Sequence, residues 1–279
     1  MWWPSLHGGS SDRSAIGIKF MALVRCPTIL AAALVWLASA ADAPAQEQAR
    51  FCNAEAANVL LYLDVTTPYD DIDKNVLIDG FGRIFDGLAG GERIAIRTIE
   101  DEFSRSRRLL EACIPFCAST GFLGDLFSTC TEGVAINERR LLTRTIVDRL
   151  SSLLASAREL DQSEIIRTLT ESLKEEYREK RPNRIFIYSD MIENSSYLSG
   201  KDFFAAGDGA VIERLEHDNL IPEIWDADVR VFGIGRIGIP GNRTVLTQDR
   251  LQKLTAFWTK FFAAGGARLQ MHQNLSMEK

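Results

Sequence analysis

Two apolar runs, 59–63 and 185–188, break off abruptly on polar residues: the first on Asp64, followed by Val65, Thr66, Thr67 and Pro68, the second on Ser189 and Asp190. Runs of this length, aliphatic and aromatic throughout, suit strands buried inside a covered sheet. An acid placed where such a strand ends is delivered to the sheet's rim. In open parallel sheets, ligands bind in the crevice outside the carboxyl ends of the strands. The chain is therefore expected to fold around a covered sheet, with its chemistry where residues 64 and 190 emerge.

The remaining periodicity alternates between strand and helix. Positions 73–88 put Val76, Leu77, Phe81, Ile84, Phe85 and Leu88 at helical spacing and stop at Gly90 and Gly91. Positions 93–99 read as a strand. After the polar turn 101–108, 109–114 reads as its antiparallel hairpin partner, an edge strand flanked by arginines. An irregular loop, 116–133, leads to an amphipathic helix, 137–160, with Leu141, Leu142, Ile146, Leu150 and Leu154 on one stripe. Asp161, Gln162 and Ser163 offer an N-cap for a helix over 164–180. Strands at 185–189, 228–234 and 267–271 follow, with a helix at 247–264 that turns Leu251, Leu254, Phe257, Trp258 and Phe261 inward. The fold class is α/β: a doubly wound, mostly parallel central sheet with one antiparallel edge strand and helices on both faces.

The 279 residues are 46% hydrophobic and 25% charged, an ordinary globular composition. A net charge of -6 lacks the basic footprint of nucleic-acid binding, so no nucleic-acid partner is expected. Arg25, the apolar stretch 29–40 and the small residues Ala43, Pro44 and Ala45 compose a signal peptide over 21–45, which predicts a periplasmic or secreted protein. An uncleaved anchor is the competing reading, but about a dozen apolar residues fall short of the roughly 20 a spanning helix needs. Residues 1–20 are expected to be an upstream extension with translation starting at Met21. A short segment, 46–57, then precedes a domain over 58–272 with an insertion at 116–160 and a tail at 273–279. Cys52, Cys113, Cys117 and Cys130 remain after processing, an even count that predicts two disulfides. Three pairings are open. The preferred one staples Cys117 to Cys130 locally and joins Cys52 to Cys113 across the sheet. Zinc is disfavoured, since Cys113 and Cys117 lie four apart and only His217 and His272 remain as imidazoles.

The order strand, helix, hairpin strands, helices, strand, helix, strand, helix over about 58–272, with its two strand-end acids, resembles a von Willebrand factor A-like domain. That family holds a divalent cation, usually magnesium, in an Asp-x-Ser-x-Ser segment after strand one, a Thr from a later loop and an Asp after strand four. The resemblance implies a magnesium site of Asp64, Thr66, Ser163 and Asp190, with Pro68 standing where a third hydroxyl belongs, a loss that should weaken affinity or let Thr67 or water substitute. It further implies a protein partner that offers an acidic group to the cation, and no small-molecule cofactor. Magnesium is a hard ion that takes oxygen ligands and keeps several waters, which suits this donor set. The competing structural reading makes Asp64 a cap for the following turn and Asp190 a solvated strand end, while Asp70, Asp71 and Asp73 serve a helix N-terminus.

Other motifs point elsewhere less well. Gly233, Gly235 and Gly238 match the spacing of a dinucleotide fingerprint, but Pro240, Gly241 and Asn242 prolong a loop where a helix should begin. A metal-assisted, phosphatase-like hydrolase using Asp64 is the enzymatic alternative; it wants an acid at position 66, where Thr66 stands. A metal-free envelope scaffold is the third reading. Arg105, Arg107 and Arg108 suit a charged hairpin better than a polyanion site.

Overall fold

The computed structural model describes residues 51–117, 130–179, 184–205, 208–238 and 240–276. The expected upstream extension (1–20) and signal peptide (21–45) lie outside them, as does most of the loop expected at 116–133. The elements in chain order are β1 (Asn58–Asp64), α1 (Asp71–Asp86), β2 (Arg93–Ile99), β3 (Arg108–Cys113), α2 (Glu132–Ser156), α3 (Ile165–Glu179), β4 (Arg184–Tyr188), α4 (Gly200–Ala205), α5 (Asp208–His217), β5 (Asp228–Phe232), β6 (Arg236–Ile237), β7 (Thr244–Val245), α6 (Gln248–Ala264) and β8 (Arg268–His272). Six strands form one sheet in the order β3-β2-β1-β4-β5-β8. All neighbours are parallel except β2 and β3. The expected fold class is the observed one, with a small antiparallel β6–β7 hairpin in addition.

β1 is buried along its whole length because both faces of the sheet are covered. Its alternation splits the core in two: Val59, Leu61 and Leu63 pack with α1 and α2, whereas Leu60 and Tyr62 pack with α3, α5 and α6. Helix α2 begins at Glu132, five residues before the expected start, because Thr131 caps it by accepting a hydrogen bond from the Val134 N–H. The cap of α3 also differs from expectation. Ser163 is paired through its backbone with Asn194, and the buried Glu193 carboxylate instead accepts the N–H groups of Ile165 and Ile166, both at 2.9 Å.

One charged cluster lies inside the fold. Glu176 of α3 is fully buried and accepts from Arg93 Nη1 at 2.8 Å, Arg97 Nε at 3.3 Å and Arg108 Nη2 at 2.7 Å. Arg108, expected on an exposed edge, is thus drawn beneath a helix. Disulfides join Cys52 to Cys113 and Cys117 to Cys130, the preferred pairing. They fit an oxidising, extracytoplasmic environment. Among the described residues no helix is long and apolar enough to cross a membrane.

Candidate functional site

The register of β1 and β4 ends on Leu63 opposite Tyr188, so Asp64 and Ser189 leave the sheet side by side. From β1 the chain passes to α1 on one face; from β4 it passes to α4 and α5 on the other. This divergence is a topological switch point, and it opens a crevice at the carboxyl ends of the two strands.

Asp64 is almost fully buried, and its carboxylate accepts hydrogen bonds from Thr66 and Ser189. Its Oδ1 accepts from the Thr66 N–H at 3.0 Å and the Thr66 hydroxyl at 2.6 Å, and its Oδ2 from the Ser189 hydroxyl at 2.6 Å. The Ser189 oxygen in turn accepts the Met191 N–H at 2.9 Å. Asp64 does not cap α1; Asp70 does, accepting from the Asp73 N–H at 2.8 Å. Asp190 is half-buried, and its Oδ1 accepts the Ile192 N–H at 2.8 Å. The turn that holds it passes through Met191 in the left-handed region, φ 61°, pinned by Trp258 Nε1 donating to the Met191 carbonyl at 2.8 Å.

Burial raises the Asp64 carboxyl above its ordinary range, partly offset by the Ser189 and Thr66 hydrogen bonds. Burial, with the charge of Asp64 adding to it, pushes Asp190 up to about 7. The Asp64 charge thus disfavours ionisation of Asp190, and the nearby Arg243 guanidinium offsets this only in part. The two acids line a pocket of about 30 Å³ together with Thr67, Ser189, Asp73, Arg236 and Arg243, large enough for a water-sized occupant. A groove of about 260 Å³ runs beside it, lined by Thr66, Pro68, Ser163, Asp190 and Asn194 among others.

The four predicted residues thus separate. Asp64 and Asp190 share the small pocket, and Thr66 is bonded to Asp64 from the groove side. Ser163 lies in the groove, and its buried hydroxyl has no hydrogen-bond partner among the described residues. Thr67 lines the small pocket. Ser189, Thr67, Asp73, Arg236 and Arg243 were not in the predicted set. Ser189 was legible as the hydroxyl beside Asp190; the arginines sit in and beyond the glycine-spaced loop, where no local pattern marks them. That loop forms the β6–β7 hairpin and starts no helix, as Pro240, Gly241 and Asn242 implied.

The acceptor atoms that meet at this pocket are oxygens, which suits a small hard cation, although the guanidiniums of Arg236 and Arg243 line it as well. Among the described residues no three His, Cys, Asp or Glu side chains group as metal ligands, so a cation here would rest on two carboxylates supplemented by hydroxyls and water.

The buried Glu193 gives the same rim a pH dependence. Burial carries its carboxyl up to about 7 from 4.5, against the pull of the Ile165 and Ile166 N–H groups. Because the folded pKa is the higher one, this stability is fully present below about pH 4.5 and is lost as the pH rises through about 7. Asp190 acts in the same direction. The denaturant midpoint is therefore expected to be higher at pH 5 than at pH 8. Glu193→Gln, which keeps an acceptor for both N–H groups, should flatten that difference by about 2 kcal/mol. A midpoint that rises with pH in both proteins refutes this account.

Comparison with known protein families finds no matching family model, and no curated protein matches the chain.

Proposed function

We propose that this chain is an exported protein-binding module of the von Willebrand factor A-like kind, acting in the periplasm or outside the cell. Its recognition surface is the rim at the β1–β4 switch point, where Asp64 and Asp190 would hold a divalent cation such as magnesium. Thr67 and Ser189 bring hydroxyls to the lining of the same pocket. When bound, the cation supplies a positive centre for an acidic group of a protein partner. The protein's own residues preorganise the site: Thr66 and Ser189 orient the Asp64 carboxylate, and the Trp258 bond to Met191 holds the turn that carries Asp190. The observation that carries this reading is the placement of the buried Asp64 and the half-buried Asp190 just beyond the ends of adjacent parallel strands, lining one pocket.

Two exposed aliphatic side chains on the same rim favour a protein rather than a small molecule as the partner. Ile72 and Val245 are 75% and 43% exposed, and both line a further groove beside Asp73. Titration of magnesium and manganese into the mature protein by calorimetry tests the proposal, with saturable heat expected. Absence of heat for either ion, in the parent and in the arginine variants described below, leaves the metal-free scaffold, in which Asp64 serves to accept hydrogen bonds from Thr66 and Ser189. The hydrolase reading has no acid at position 66 to draw on, because Thr66 spends its hydroxyl on Asp64.

A further inference from the structure

Two side chains at the candidate rim carry the wrong sign for a cation site. Arg236, at the start of β6, and Arg243, just before β7, line the same small pocket as Asp64, Asp73 and Asp190. Both are held in place. Arg236 Nη2 donates to Asp73 Oδ1 at 2.5 Å, Arg243 Nη1 donates to the Gly238 carbonyl at 2.9 Å, and Arg243 Nη2 donates to the Pro68 carbonyl. Asp73, in the first turn of α1, is itself buried. Arg243 Nε is buried without a hydrogen-bond partner among the described residues, 3.5 Å from Asp73 Oδ2. The hairpin backbone is tied to the same helix start, since the Gly241 N–H donates to Asp70 Oδ2 at 3.1 Å.

In ionised form the pocket holds three carboxylates and two guanidiniums, a net charge of -1. A divalent cation turns that into +1, beside two guanidiniums from which it is poorly screened because all of them are partly withdrawn from water. With one arginine neutral, the cation leaves the pocket uncharged.

We propose that Arg236 and Arg243 set the affinity of this rim for a divalent cation, acting as resident counter-ions that hold it low in the free protein. The inference rests on the cation reading given above. It makes the arginines, rather than the missing hydroxyl at Pro68, the main reason for weak binding.

The test is calorimetric titration of magnesium, and separately manganese, into the parent, Arg243→Gln, Arg236→Gln and Arg243→Lys proteins, with circular dichroism and thermal unfolding confirming that each is folded. Arg243→Gln is expected to bind at least tenfold more tightly than the parent, a gain of about 1.4 kcal/mol. Arg243→Lys, which keeps the charge, should stay near the parent. A silent parent with a binding Arg243→Gln variant supports the proposal equally. If the parent binds and Arg243→Gln binds no better, the arginines do not set affinity, although the cation reading stands. If Arg243→Lys tightens as much as Arg243→Gln, loosened packing rather than charge is responsible and the proposal fails. If no folded protein in the set binds either ion, the cation reading falls and takes this inference with it. Should Arg243→Gln not fold, Arg236→Gln carries the same comparison, because its side chain contacts Asp73 without bracing the Pro68 carbonyl.

Discussion

Asp64→Ala is expected to lose about 2–4 kcal/mol of stability and at least a hundredfold in cation affinity, whereas Asp64→Asn should lose the affinity alone. Alanine strands three donors that now converge on the carboxylate: the Thr66 N–H, the Thr66 hydroxyl and the Ser189 hydroxyl. A buried donor left without an acceptor costs about 1–3 kcal/mol, and the two hydroxyls can recover part of that by rotating. Asparagine keeps one carbonyl oxygen for Thr66. Its amide can donate to the Ser189 oxygen, and it removes a charge that burial disfavours, so its stability should stay within about 1 kcal/mol of the parent. The two variants therefore separate folding from binding at one position. Denaturant unfolding gives the first and calorimetry the second, and retained cation heat in a folded Asp64→Asn protein would remove Asp64 from the ligand set.

The larger loss of stability is expected far from the rim. Glu176→Ala should cost about 3–5 kcal/mol, because it leaves Arg93, Arg97 and Arg108 facing a buried void where a fully enclosed carboxylate had paired them. Arg93 and Arg108 retain Glu111, and Arg97 retains Glu175, so the edge strand is weakened rather than released. Glu176→Gln, which still offers one acceptor oxygen, should cost about half as much. Because the cluster is withdrawn from solvent, the deficit should change little between low and high salt. A loss below about 1 kcal/mol in Glu176→Ala would mean that the arginines turn out to solvent without penalty, and that the cluster contributes little.

The sheet was legible because its signals are local. Apolar runs that end on an acid, alternation in 93–99 and helical spacing in 73–88 each fall within one short window, and every strand of the sheet was anticipated to within about two residues at each end. What escaped the sequence depends on contacts between distant segments. Ser163 reads as a cap because its spacing ahead of α3 is right, yet the cap comes from Glu193, 28 residues beyond Ile165, the first residue of that helix. Arg236 and Arg243 carry no pattern of their own. They reach the acid pocket only because β6 and β7 fold back toward the start of α1. Thr66 reads as a rim hydroxyl from its place after Asp64, but whether a hydroxyl faces the pocket or its own aspartate is settled by one rotamer, and here Thr67 lines the pocket while Thr66 bonds Asp64.

The disulfide between Cys52 and Cys113 fastens the polypeptide where β3 finishes, next to Arg93 at the beginning of β2. Asn53 is sewn to Gly91 at that same pole, its N–H donating to the Gly91 carbonyl at 3.0 Å. β1 then runs its seven residues, roughly 20 Å, before reaching Asp64. An affinity handle or surface linker attached ahead of Phe51 therefore approaches from the far end of the barrel-less slab of strands. Immobilised by that end on a sensor chip, the protein would face its acids and arginines toward the flowing solution.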